Sequence, residues 1–425
     1  MTRIKPFKAL VYNKDKIKDI ASVVCPPYDV ISKEKQEYFH QKHKNNLIHI
    51  LLGKDTPQED KYKKAQEYFQ SWVKEAVFCQ DVSPAIYFYS QRYKLRGESK
   101  IRLGFIALLR LEEGSSKVFK HEHTRHQAIE DRFKLMSAVK ANLSPIFIVF
   151  PDKNRIVTRI FNQAISTQAP FIDLKDEEGT EHKVWRIDSP DVIASVQSAI
   201  SHEDTFIADG HHRYEVSCAY RDMVRKKHAD KLSDDEPVDY TMAYFTSANS
   251  LGLTILPIHR RVIVGPNFNT EHFITQLKEF FAVEPIKDKA QLFYLLEKAA
   301  RNEHAIGACI HGAFWFMRLK NVKILDKLIS DKPKVYRTLD VSVLNHLVFE
   351  KILGFASKEA ERISYYHNQD ELLDELAKDK TSIGFFLNPV KIEQIMSVAL
   401  EGEKMPAKST FFYPKLLSGL LINKL

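Results

Sequence analysis

The sequence of 425 residues has only four cysteines, spread at Cys25, Cys79, Cys218 and Cys309. No CxxC pair occurs, which argues against the common structural zinc sites, and the dispersed thiols read as reduced, as in a cytoplasm. No run approaches the roughly 18 consecutive apolar residues of a membrane span. The opening MTRIKPFKALVYNKDK has an apolar run too short for a secretory signal and broken by lysines. The expectation is a cytoplasmic protein with no membrane contact. Internal repeats, low-complexity tracts and Gly/Ser linkers are absent. So are the GxxxxGK[ST] phosphate loop, the GxGxxG fingerprint, the GxSxG elbow and the VAIK, HRD and DFG kinase set. A nucleotide handled by this chain is handled by some other fold.

What is present is an ordinary globular composition, 44% hydrophobic and 28% charged. The net charge of +8 is spread along the chain. It suits an anionic ligand such as a phosphate or nucleotide and equally a generic cytosolic protein, and it forms no basic stripe with interleaved aromatics, which disfavours a nucleic-acid partner. Hydrophobic patterning predicts strands at 7–13, 85–95, 101–111, 171–174, 183–187, 241–249 and 253–260, with RGESK as a hairpin loop. Ser32 reads as the N-cap of a short helix. A longer helix is predicted over 56–78, with Thr56 as cap and Pro57 in its first turn. Further helices are expected near 192–200, 270–281, 290–301 and 339–353. The fold class that follows is α+β, with no clean βαβ alternation.

Four segments carry chemistry. In TFIADGHHRYE an apolar strand ends at Asp209, Gly210 makes a turn, and His211, His212 and Arg213 open a helix. Helix N-termini offer free N–H groups and a positive dipole end, so an anion is held there readily. Gly210 permits close backbone approach, Arg213 offers a bidentate phosphate contact, and Asp209 is a candidate metal ligand, proton acceptor or helix cap. The plainer alternative is a capped turn with solvated polar residues. In KHEHTRHQAIEDR, His121 and His123 have a metal-ligand spacing that needs a third partner, for instance His211, or the segment is simply a His-rich polar surface loop. There Glu122 is a candidate base, and adjacent Asp131 and Arg132 are expected on different sides of their helix. MPAKSTFFYPK offers Lys408, Ser409 and Lys415 to phosphates and Tyr413 to a base, or is simply a C-terminal edge strand. CPPYDVIS is stiffened by Pro26 and Pro27 and presents Tyr28 and Asp29, or makes a tight turn.

Taken together, CPPYDVIS, HEHT…EDR…NLSPIF, IADGHHRYE and MPAKSTFFYPKL closely resemble the bacterial domain-of-unknown-function family 1015 over nearly the whole chain. IADGHHRYE also resembles the core motif of the ParB/sulfiredoxin-like superfamily, whose Gly-x-x-Arg turn cradles nucleotide phosphates; Gly210 and Arg213 match it. The chain departs from the ParB partition proteins in its paired histidines and in lacking a helix-turn-helix pattern downstream. The resemblance implies a mixed sheet with a ParB/sulfiredoxin-like core over residues 1–264. It also implies large helical and strand elaborations, including a C-terminal α+β region over 265–425 whose tail, 405–421, returns to the core.

Three functions remain open at this level. One is a phosphotransferase using ADP or ATP with Mg²⁺ on a small hydroxyl metabolite; serine or phosphoserine is what the superfamily's free-serine kinases imply. Its phosphates would sit on Gly210, His211, His212 and Arg213 with Arg132, Lys408, Ser409 and Lys415 nearby. Asp209, Glu122 and His121 would carry the catalysis. Tyr28, Asp29, Asp131, Asn142 and Tyr413 would line the substrate. The second is a nucleotide- or metabolite-binding regulator without turnover. The third is a nucleic-acid-binding protein or nuclease.

Overall fold

The computed structural model describes residues 1–55, 59–112, 117–152, 155–165, 168–228, 232–300, 302–355 and 361–425. The chain divides into two compact units. The first comprises 1–119, 124–254 and 414–425, and the second 120–123 and 255–413.

The first unit is built on a nine-stranded mixed sheet. Its strands are β1 (Ile4–Lys5), β2 (Ile86–Leu95), β3 (Glu98–Arg110), β4 (Val118–Phe119), β5 (Ile146–Phe150), β6 (Ile172–Lys175), β7 (Glu181–Ile187), β8 (Thr205–Asp209) and β9 (Tyr240–Ser247). They run in the order β4-β8-β5-β9-β3-β2-β7-β6, with β1 also paired to β3. The β4–β8 and β5–β9 pairs are parallel and the rest antiparallel. β5 and β9 are buried along their whole length, which is why IFIVF and YTMAYFTS read as continuous apolar runs rather than alternating ones. The hairpin β2–β3 turns through Arg96 and Gly97 alone, at φ of 50° and 83°. The expected five-residue loop is therefore two residues long, because two positive φ values match the twist of the flanking strands.

Helices α1 (Lys33–Lys42), α2 (Lys61–Lys74), α3 (His126–Val139), α4 (Pro190–Ser201) and α5 (His211–Lys227) belong to this unit. Ser32 caps α1, as its position predicts. The helix expected over 56–78 is shorter: Asp60 caps it by accepting from the Tyr62 and Lys63 amides. Thr56 and Pro57 lie outside the described residues. The core brings Phe88, Phe105, Ile148, Val196, Ile207 and Phe245 into one cluster.

The second unit holds a six-stranded antiparallel sheet of β10 (His259–Ile263), β11 (Phe281–Ile286), β12 (Ala305–Ile310), β13 (Ala313–Leu319), β14 (Ile363–Tyr366) and β15 (Ser382–Phe386), in the order β11-β13-β12-β15-β10-β14. Helices α6 (Thr270–Phe280), α7 (Lys289–Ala299), α8 (Gln369–Lys378) and α9 (Ile392–Leu400) accompany it. The run 253–260, expected as one strand, is two pieces, Thr254–Leu256 and then β10. Pro257 separates them, since proline donates no ladder hydrogen bond. The expected helix 339–353 is a short α-turn leading into a wide helical segment, Val343–Ile352. Among the described residues, no helix is long and apolar enough to cross a membrane.

Phe105 and Phe245 stack across β3 and β9 with centroids 4.9 Å apart, and both are fully buried. Phe245→Ala is expected to cost the first unit about 3–5 kcal/mol, read as a lowered urea midpoint by tryptophan fluorescence.

Candidate functional site

The strand–turn–helix around Asp209 forms where the sequence places it. β8 is buried up to Ala208, and the register with β5 shifts between Ile207 and Asp209. That irregularity re-aims the end of the strand. Gly210 follows at φ 89°, ψ 30° and leads directly into α5. A side chain here is strained twice over, because φ is left-handed and an added Cβ would lie 2.8 Å from the Arg213 guanidinium carbon.

Arg213 curls back on its own turn. Its Nη2 lies 2.6 Å from Asp209 Oδ2, and its Nη1 donates to the Pro145 carbonyl. Lys415 Nζ reaches the other oxygen of Asp209 at 2.7 Å. All three side chains are largely buried. Burial alone would raise the Asp209 pKa, but the Lys415 and Arg213 charges outweigh it and hold the carboxyl well below the usual carboxylate range. Lys415 is itself positioned through the main chain: Gln91 Nε2 donates to the Lys415 carbonyl at 2.9 Å, and buried Arg102 donates to the Pro414 carbonyl at 2.6 Å.

A second charged group faces the same region from α3. Adjacency on the helix was expected to send Asp131 and Arg132 to different sides. Instead Arg132 folds back, placing Nε 2.7 Å from Asp131 Oδ2. Its long flexible stem makes the reversal easy, and its other contacts reward it. Nη1 donates to the Leu51 carbonyl at 2.7 Å, and the guanidinium sits 4.4 Å over the Tyr28 ring. The Tyr62 hydroxyl (2.7 Å) and Lys61 Nζ (3.1 Å) complete the shell of Asp131. Burial pushes the Tyr28 hydroxyl up to about 12, with Asp29 adding and Arg132 and Arg213 opposing.

Of these groups, Tyr28, Arg132 and Arg213 border a pocket. Tyr28, Arg132, Asn142 and Arg213 line it, as do Ser144, Ser217 and Thr241, which sequence reasoning did not single out. The Ser–Pro pair at 144–145, inside the quoted NLSPIF, was the available signal for the first. Leu51, Leu135, Met136 and Val216 give the pocket an apolar wall. The ionised side chains in the lining are Arg132 and Arg213, with no carboxylate among the lining residues; behind them, Asp131 pairs with Arg132 and Lys61, and Asp209 with Arg213 and Lys415.

The contacts of Asn142 and of the remaining candidates are as follows. Asn142 spends its Oδ1 on the Met242 amide and the Asn423 side chain. His211 is buried, outside the pocket lining. His212 Nε2 accepts the Arg125 amide at 2.9 Å, which makes it the acceptor nitrogen and helps anchor the start of α3. Asp29 is exposed. His121, Glu122, Lys408, Ser409 and Tyr413 belong to the second unit. There the His121 carbonyl accepts the Met405 amide, Glu122 bridges Met405, and Ser409 Oγ donates to the Pro406 carbonyl. Among the described residues, no three His, Cys, Asp or Glu side chains gather as metal ligands.

The chain belongs to the DUF1015 family, proteins of unknown function, whose sequence profile matches residues 4–342. Among curated proteins, no sequence matches it. Solved structures that resemble it include a free serine kinase mutant in complex with ADP, at 14% identity, covering 70% of this chain and 84% of that one, with a TM-score of 0.33. Another is C-terminally truncated SbnI from Staphylococcus aureus, at 12% identity over 74% and 85% of the two chains, TM-score 0.35. A third is a conserved hypothetical protein from Pyrococcus furiosus, at 15% identity over 71% and 89%, TM-score 0.32. Likeness this distant transfers no residue role.

The Asp131 carboxyl is held at about 2: burial raises it, but the Arg132 charge and the hydrogen bonds from Tyr62, Arg132 and Lys61 lower it further. A folded-state pKa below the unfolded one gives stability that is complete above about pH 4 and lost as the pH falls toward about 2. Acid titration of Asp131→Asn should lose this part of the pH dependence of unfolding. Gly210→Ala is expected to destabilise the first unit by about 1–3 kcal/mol, measured by thermal denaturation.

Proposed function

We propose that this protein is a nucleotide-dependent phosphotransferase whose phosphate-binding pocket lies in the first unit. The observation that carries the reading is the pocket's lining: two arginines and no carboxylate, together with an apolar wall able to take a flat base. Arg213 and Arg132 have the planar fork that suits phosphate oxygens. ADP or ATP is the nucleotide class that the Gly210–Arg213 motif implies, and a small hydroxyl metabolite, serine foremost, is the acceptor implied by the same resemblance. Mg²⁺ would arrive on the phosphates, as it commonly does, since both Asp209 oxygens already face cations.

Asp209 links binding to chemistry. Clamped by two cations, its carboxylate is a weak base. A bound phosphate competes for Arg213 and Lys415, and as they turn to it the Asp209 pKa rises. The carboxylate then accepts the proton of the acceptor hydroxyl. The hydroxyl oxygen forms a bond to the terminal phosphorus, and the bond from that phosphorus to the leaving nucleotide oxygen breaks. Positioning and charge neutralisation supply most of the rate in such transfers.

The strongly depressed Asp209 also favours a second reading, a nucleotide-responsive regulator with no turnover. Asp209→Asn separates the two. It frees both cations, so ADP and ATP binding should persist or tighten in either case. Phosphoryl transfer to serine, followed by ³¹P NMR, should appear in the wild type and vanish in Asp209→Asn if the enzyme reading holds. Arg213→Gln should weaken nucleotide binding about 10- to 100-fold, read by thermal shift across ADP, ATP and CTP. Wild-type protein that binds nucleotide yet modifies no hydroxyl acceptor would leave only the regulator.

A further inference from the structure

The second unit carries a buried charge that its own residues leave unmatched. Arg260, on β10, is 1% exposed. Its guanidinium donates to the carbonyls of Ile258 and, at 3.0 Å, of Lys408. That uses two of its five N–H donors, and Nε has no partner. Its neighbour Arg261 pairs with Asp379. For Arg260, no carboxylate among the described residues does the same, and what faces it is the Tyr365 ring at 5.6 Å. Burial lowers its pKa to about 10, with Tyr365 partly opposing, so it stays charged at neutral pH. A buried cation without a counter-charge is expensive unless something else supplies one.

Arg260 lines a pocket together with Asp340, Asn388, Gln394 and Ser409. Ser409 comes from MPAKSTFFYPK, the segment whose last residue, Lys415, pairs with Asp209. Gln394 spends its carbonyl on the Lys391 amide, leaving its NH₂ group. Asp340 is half-buried and engages His304 Nδ1 at 2.9 Å through Oδ1. The pocket therefore holds a fixed cation and a fixed acid that are not paired with each other.

We propose that this pocket binds a small organic acid, its carboxylate on Arg260 and an ammonium or hydroxyl group of the same molecule facing Asp340, the class of free amino or hydroxy acids. A carboxylate matches the planar guanidinium fork and supplies the missing counter-charge. A second group able to donate to Asp340 satisfies the acid without adding negative charge beside it, which a phosphate dianion would do. The inference stands apart from the nucleotide reading, because every residue it uses lies in the second unit.

The test is a thermal-shift and calorimetric screen of the full chain against the proteinogenic L-amino acids, the hydroxy acids of matching skeleton, the unsubstituted acids, and inorganic phosphate. At least one amino or hydroxy acid should bind saturably. Arg260→Gln should weaken that binding about 100-fold or more, and Arg260→Lys should weaken it less. Asp340→Asn should erase the preference for the amino or hydroxy acid over the unsubstituted acid. Arg213→Gln should leave the binding unchanged, which keeps a failure here distinct from a failure of the nucleotide site. The proposal falls if no acid binds at millimolar concentration, if phosphate alone binds through Arg260, or if folded Arg260→Lys and Asp340→Asn both bind like the wild type.

Discussion

One carboxylate held by two cations organises the first unit. Asp209 ends β8, Arg213 sits in the first turn of α5, and Lys415 arrives from residues 414–425. Burying an ion costs several kcal/mol unless it is matched, and here each oxygen has its own cation. The clamp therefore fixes the direction of Arg213, the entry angle of α5 and the docking of the returning segment together. Arg102 and Gln91 extend the constraint by holding the Pro414 and Lys415 carbonyls. With Arg213 held in this way, the Pro145 carbonyl is satisfied and one wall of the pocket is set.

The other wall depends on a ring. Pro26 and Pro27 stiffen the approach to Tyr28, and Arg132 lies over its face while donating to the Leu51 carbonyl. Cation–π contact, carbonyl and carboxylate leave that guanidinium little freedom. Two arginines thus border the pocket, Arg132 held over Tyr28 and Arg213 held on Asp209 and Pro145. Arg132 is ordered for an anion in advance, which lowers the cost of binding one, whereas Arg213 has an ion pair to exchange.

Much of this was legible in the sequence. The apolar run into Asp209, the glycine and the helical spacing beyond it predict a strand, a left-handed turn and a helix, and each forms. Arg213, Arg132, Lys415 and Tyr28 come from four separate segments, yet meet around one region of the first unit. What was illegible depended on tertiary contact. The reversal of Arg132 onto its neighbour follows from partners more than 60 residues away, Tyr62 and Lys61 among them. His212 looked like a ligand-facing imidazole, and its partner is a backbone amide 87 residues earlier. MPAKSTFFYPK is divided between the two units at the bond after Tyr413, a division that was not read from the sequence.

The path of the chain also sets an order in time. Lys415 follows every residue of 255–413 in the direction of synthesis, while Asp209 and Arg213 precede them. A nascent chain that has folded β8 and α5 thus exposes an acid with only one of its cations until the whole second unit has been made. During that interval the Lys415 charge, one of the two that hold the Asp209 carboxyl down in the finished fold, is absent. The finished charge balance arises only once translation has passed the second unit, so a half-made protein cannot offer the same site to a phosphate.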